Sequence, residues 1–525
     1  MIDHRLVHSN KTLFLNMELP FSCYSYMENN FSCNPAIHRS FSLARSFGSK
    51  TFIQERILAE GLIKDENLEL KELFPDYKCG ELLRLSFWNV DIKSENELAE
   101  CDDNNLMGYV IIKKDYATKL SGKLINYFHI FEGVFKKYPH QHNYIPHHSI
   151  YKIRICNKIF SILGILYCQQ NGLNKCCAHV ALRSLITNYS PKLNVAYSSM
   201  NKIVRKSRIG KYIPEDGLAI NEIEAILNEF KISYKSLNYS KLTNEFPTIR
   251  KDLPYQKYLY AGVESGCGSL LAFQIGEPGG ECYGRHIVPF WGHTFNKDTW
   301  IPNANASYFN IGGGVGYIPS LNWTSSFIGH DDNFGPNFCV PQLYVNPEQV
   351  DYVVALQKPK VKYSGIIAET KSLNFLYSII NTKHLNLNNE WINRLIWYSN
   401  DKVQKIVFRA VCVEKEKYLS HLKNIKDWNG NKESLKFLKE LPEFLPEIVW
   451  VVEISLPQLF SANKRKIGEI VLNATEKEDE NQAVDYNLFV LARLPLQYIF
   501  FNGVSQNNCE FIFKNSKIQS HVTLI

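Results

Sequence analysis

The segment Ile159-Phe-Ser-Ile-Leu-Gly-Ile-Leu-Tyr167, with the polar loop and apolar stripe that follow it, constrains this chain more than any other stretch. A branched and aromatic run of this length, bounded by polar residues, reads as a buried strand. It is about half of what a bilayer span requires. Ala178, Ala181, Leu182, Leu185 and Ile186 then recur at helical spacing, so a helix is expected to begin near Cys177. A second helix is expected after Pro214-Glu-Asp-Gly217, where Ile223, Ile226, Leu227 and Phe230 share one face. Strands are expected over 257–263, 269–274 and 286–291. Helices followed by an antiparallel sheet make this middle third an α+β domain, over about 151–345.

With 525 residues the chain is too long for one ordinary core, and two flanking mixed domains are expected. Residues 1–150 are β-rich, with strands over 82–90 and 107–112. Residues 346–525 mix strands at 406–413 and 448–454 with a short helix over Leu435, Leu438 and Leu441 that Pro442 stops. The acidic run Glu476–Glu480 reads as a solvated loop.

Composition narrows the function classes. At 45% hydrophobic and 21% charged, the chain has ample material for packed cores, which argues against global disorder. Its net charge of +7 is spread thinly, and the basic stretch Lys202–Lys211 lacks interleaved aromatics, so no nucleic-acid partner is expected. No secretory signal or membrane span is expected at the N-terminus or elsewhere. Thirteen cysteines without regular spacing suggest reduced thiols in a cytoplasmic protein rather than a disulfide framework. Four histidines at 140, 142, 147 and 148 have no acidic or cysteine companions and read as a linker, so no metal is expected. Gly312–Gly316 is not followed by Gly-Lys-Ser/Thr, and no cofactor is expected either.

The chemistry concentrates in Cys168-Gln-Gln-Asn-Gly-Leu-Asn-Lys-Cys-Cys-Ala-His-Val180. A thiol in the first turn of a helix sits where unpaired backbone N–H groups and the helix dipole favour an anion. Those N–H groups can also form one arm of an oxyanion hole. Gln170, seven positions before Cys177 and six before Cys176, can supply the other arm, with Gln169 as its neighbour and rival. A nucleophilic thiol needs a base, and the base needs an orienting partner. His286 opens an apolar strand, and His293 competes with it from the far end of the same run. Asp331, at the end of Phe327-Ile-Gly-His-Asp331, is placed to orient the base, with Asp332, Asp298 and Asn303 as alternatives. His179 is expected on the helix surface.

The order Gln170, Cys177, His286, Asp331 resembles papain-like cysteine peptidases, most closely the bacterial C39-type branch. The resemblance covers about residues 160–345. It implies a papain-like fold and acyl transfer through a thioester at Cys177, with His286 as base, Asp331 as orienter and Gln170 in the oxyanion hole. The expected activity is that of a bacterial cysteine hydrolase, a peptidase or isopeptidase acting on a protein or peptide. An acyltransferase of the same fold, or a catalytically silent binding scaffold, are the rival readings. This sequence departs from the family pattern in three ways. It lacks Cys-Gly-Ser/Ala-Cys-Trp, Asp332 rather than Pro follows Asp331, and the His286–Asp331 gap is long, as if a flap were inserted there.

Overall fold

The computed structural model describes residues 12–17, 20–31, 34–119, 121–136, 143–146, 149–174, 176–193, 195–208, 217–245, 254–277, 281–295, 305–306, 316–380, 385, 388–401, 405–427, 429–463, 465–502, 510–516, 518, 521–522 and 524. Over these residues the protein is mixed α and β with mostly antiparallel sheets, and it divides into two compact units. The first comprises Met1–Ile232, Leu270–Gly292 and Ile328–Val340. The second comprises Ser233–Ser269, His293–Phe327 and Pro341–Ile525. The histidines at 140, 142, 147 and 148, together with Asp298, Asn303 and Gly312–Val315, lie outside the described residues.

The frame of the first unit is a seven-stranded sheet. Its strands run in the order Leu13–Asn16, Thr51–Arg56, Lys78–Trp88, Leu106–Thr118, Leu124–Lys136, Lys158–Tyr167 and Ser149–Ile155. The strand expected over 159–167 therefore shares a sheet with the N-terminal strands, across the division expected near residue 150. Strand alternation sends Phe52, Leu83, Leu85, Phe87 and Ile112 to one face, where they pack beneath the helices Pro20–Phe31 and Pro35–Ser46. The second of these helices starts cleanly. Pro35 fills its first position, and the Asn34 side chain accepts from the Ala36 and Ile37 N–H groups. The opposite face buries Trp88, Ile111, Phe131, Phe160 and Leu166 against Cys176 and Val180, at the start of the helix Cys177–Tyr189.

That helix is anchored along its length. Arg183 donates to the Phe131 carbonyl at 3.0 Å and to Glu132 at 2.6 Å. Ser184 Oγ donates to the Leu166 carbonyl at 2.6 Å. The same unit carries most of four neighbouring strands from further along the chain, in the order Gly335–Pro341, Ser326–Asp331, Cys282–Thr294 and Ser269–Gly276. At Gly329 the strands approach so closely that a Cβ would lie 2.5 Å from the Pro289 carbonyl oxygen.

The second unit centres on an eight-stranded sheet that includes Val407–Glu414 and Ile448–Ser455. The helix Gly365–Ile380 and the strands share a large apolar core. A buried charged ladder crosses this unit. Glu453 meets Arg409 and Lys466 at 2.8 Å each, and Lys466 also meets Glu469 at 2.5 Å. One expected element is corrected here. Residues 257–263, read as a strand, lie in the helix Tyr255–Glu264. Nearly all of its positions are buried, and this packing overrides the strand preference of its tyrosines and valine.

Candidate cysteine-histidine site

Cys176 and Cys177 are adjacent but have opposite environments. Cys176 caps the helix and is buried in the apolar face described above, where burial pushes its thiol far up. Cys177 is the first helical residue, is half-buried, and its thiol is a neighbour of the His286 ring that helps raise the imidazole pKa. At a helix start the backbone N–H groups of the first turn have no intrahelical partner and point toward the same space.

His286 is held on its strand with Nε2 facing two carboxylates, Asp331 Oδ2 at 3.1 Å and Asp332 Oδ1 at 3.5 Å. That leaves Nδ1 as the ring nitrogen able to serve the thiol. Phe273, on the neighbouring strand, meets the imidazole edge-to-face with centroids 5.7 Å apart. Burial opposes a charge on this ring. The hydrogen bond to Asp331, the neighbouring Cys177 thiol and the two carboxylate charges outweigh it and hold the imidazole pKa up at about 10.

The two aspartates divide the work because the turn after the strand treats them differently. Asp331 Oδ1 accepts from the Asn333 N–H at 2.8 Å and the Phe334 N–H at 3.1 Å, and Oδ2 faces the ring. Tyr167 OH donates to its backbone carbonyl at 3.1 Å. Burial raises the Asp331 carboxyl, but the bond to His286 and the turn N–H groups bring it below its usual value. Asp332 accepts from Asn333 Nδ2 at 3.2 Å, while its Oδ2 is buried without a hydrogen bond. Burial and the neighbouring Asp331 charge, only partly offset by His286, push Asp332 up to about 6.

Gln169 and Gln170 are likewise separated. Gln169 is spent on the frame: its Oε1 accepts from the Ile130 N–H at 3.0 Å and its Nε2 donates to Tyr127 OH at 3.2 Å. Gln170 is half-buried, and its Nε2 donates to Asn333 Oδ1 at 3.2 Å, beside the aspartate turn. The structure thus gathers Cys177, His286 and Asp331 directly, with Gln170 reaching the same turn through Asn333. His293 points to the other face of its strand, as a separation of seven residues requires, and its Nε2 sits 2.7 Å from Glu264. His179 is buried rather than on the surface as expected, with Nε2 2.7 Å from Asn201 Oδ1. A helix buried on nearly all sides leaves it no solvent face.

Sequence reasoning missed Asn333 and Phe273. Nothing local marks either, since each matters only through a neighbouring strand or turn. Among the described residues, His286, Asp331 and Asp332 are the group whose possible metal-ligand atoms lie within 4.8 Å of one another. The Nε2 to Oδ2 distance is that of a hydrogen bond, and a metal there would have to displace a proton that the surroundings hold firmly. Compared with known proteins, the chain matches no family, no curated sequence and no solved structure.

Proposed function

We propose that the protein is a cysteine hydrolase that cleaves an amide bond, in the manner of papain-like enzymes, with Cys177 as nucleophile, His286 as base, Asp331 as orienter and Gln170 as an oxyanion donor. The observation that carries this reading is the His286–Asp331 pair at 3.1 Å beside a thiol, Cys177, that stands at the start of a helix and helps raise the imidazole pKa. A thiol beside a protonated imidazole can react as the thiolate without waiting for proton transfer.

In the proposed reaction the Cys177 sulfur attacks the carbonyl carbon, forming a C–S bond, while the first-turn N–H groups and the Gln170 amide receive the oxyanion. The C–N bond breaks, and the leaving amine takes its proton from His286. Water then gives a proton to His286 and attacks the thioester, releasing the acid and restoring the thiolate beside the protonated imidazole. An amine in place of water would give acyl transfer with the same groups. The proposed substrate is a protein or peptide.

The test is exposure of the protein to activated peptide esters and thioesters, with intact-mass analysis and peptide mapping. Acylation at Cys177 that turns over in water supports hydrolysis. Discharge only onto added amines identifies the acyltransferase. No acylation above a Cys177→Ala control leaves a binding scaffold.

A further inference from the structure

Beneath the loop that joins Gln170 to Cys177 lies a buried ionic cluster that the proposed chemistry does not use. Lys113 is fully buried. Its Nζ sits 2.5 Å from Glu66 Oε2 and 3.3 Å from Asp115 Oδ1. Tyr77 OH donates to Asp115 at 2.8 Å, and His129 Nδ1 stands 3.5 Å from the other Asp115 oxygen, an electrostatic contact too long for a good hydrogen bond. Lys113 and Asp115 lie on one strand, His129 on its neighbour opposite Lys113, and Glu66 on the helix Gly61–Leu73. Burying so many charges costs free energy that well-packed apolar side chains would not cost, so such a cluster is weak evidence for stability.

One contact links this cluster to the candidate site. Asn171 Nδ2 donates to Glu66 Oε1 at 3.3 Å, while Asn171 Oδ1 accepts from the Leu173 N–H at 3.0 Å and the Asn174 N–H at 3.4 Å. Asn171 thus folds the loop on itself and fastens it to the sheet. It directly follows Gln170 and precedes the left-handed Gly172, whose φ is +73°. Lys113 fixes Glu66, Glu66 fixes Asn171, and Asn171 sets the backbone that aims the Gln170 amide. The thiol–imidazole pair has further supports of its own, the anchored helix and the aspartate turn, although the Cys176 N–H at the helix start also donates to the Asn174 carbonyl at 3.1 Å.

We infer that Asn171 and Glu66 are positioning residues for the oxyanion hole, so that the N-terminal sheet is part of the catalytic apparatus. This rests on the hydrolase reading above. It predicts a division between two reactions of one thiol. Alkylation by iodoacetamide displaces iodide at a saturated carbon and forms no oxyanion, whereas acylation by p-nitrophenyl acetate passes through one and releases nitrophenolate.

The experiment measures both rates on the full chain, for wild type, Asn171→Ala, and the double variant N171D with E66Q, which exchanges donor and acceptor across the link. A Cys177→Ala background is subtracted. Asn171→Ala should lower acylation about tenfold or more and change alkylation less than about twofold, and the exchange should restore part of the acylation. Unchanged acylation in Asn171→Ala overturns the inference alone, as does an equal fall in both rates, which marks a collapsed loop. Wild-type protein that is alkylated at Cys177 but never acylated overturns the hydrolase reading and this inference with it.

Discussion

Asp331 and Asp332 address the same nitrogen of His286 from 3.1 and 3.5 Å, yet their surroundings drive their acidities in opposite directions. The turn N–H groups explain the difference. They converge on Asp331 and leave one buried oxygen of Asp332 with no donor. A carboxylate given fixed donors stays ionised, and one denied them holds its proton longer.

The charge on His286 should govern Cys177. With the imidazole pKa held up at about 10, His286 is charged at neutral pH, and the profile of Cys177 labelling by iodoacetamide between about pH 6 and pH 9 should depend on that charge. His286→Ala should slow labelling at pH 6 by about tenfold or more. Cys176→Ala should leave the profile in place. Peptide mapping of time courses reads all three.

Asp332 should weaken the fold as the pH rises. A carboxyl raised to about 6 favours the protonated, folded form, so its stabilising contribution is complete below the unfolded value near 4 and is lost as the pH rises through about 6. Asp332→Asn removes that loss. Relative to wild type the variant should gain on the order of 2 kcal/mol between pH 4 and pH 7. Denaturant titrations at those two pH values test this, and a pH-independent difference would contradict it.

The two glutamines should separate by kind of damage. Gln170→Ala should cut ester acylation by about tenfold to a hundredfold while the melting temperature holds. Gln169→Ala should cost about 1–3 kcal/mol of stability, because it strands the buried Ile130 N–H.

Gly335 should tolerate no side chain. Its φ of +111° suits glycine, and an added Cβ would lie 2.8 Å from Arg39 Cβ. Arg39 in turn donates to the carbonyls of Pro336 and Asn337 at 3.3 and 2.8 Å, holding the arm that follows the aspartates. Gly335→Ala should lower stability by about 1–3 kcal/mol and slow acylation, measured by melting and by nitrophenolate release.

Much of the frame was legible in the sequence, and the reason is periodicity. The run ending at Tyr167, the stripe from Ala178 and the apolar segment beginning at His286 each carry one clear period, and each forms the expected element. Residues 257–263 misled because tyrosine and valine favour strands locally, whereas tertiary packing, which buries the helix on nearly all sides, decides the outcome. Choices between neighbours, Cys176 against Cys177 and Gln169 against Gln170, were open because a one-residue shift leaves composition unchanged. Only the contacts with Val180, Tyr127 and His286 separate them.

The first unit is assembled from three stretches of chain, and the last of them, Ile328–Val340, brings Asp331 and its turn. During synthesis from the N-terminus, the thiol at 177 therefore emerges well before the imidazole at 286, and earlier still than the carboxylate at 331. A nascent chain halted between residues 286 and 331 would hold the cysteine and the imidazole but not the carboxylates that face that imidazole. Under the hydrolase reading proposed above, the order of translation itself defers the full activation of Cys177 until the strand that ends in Asp331 has been made.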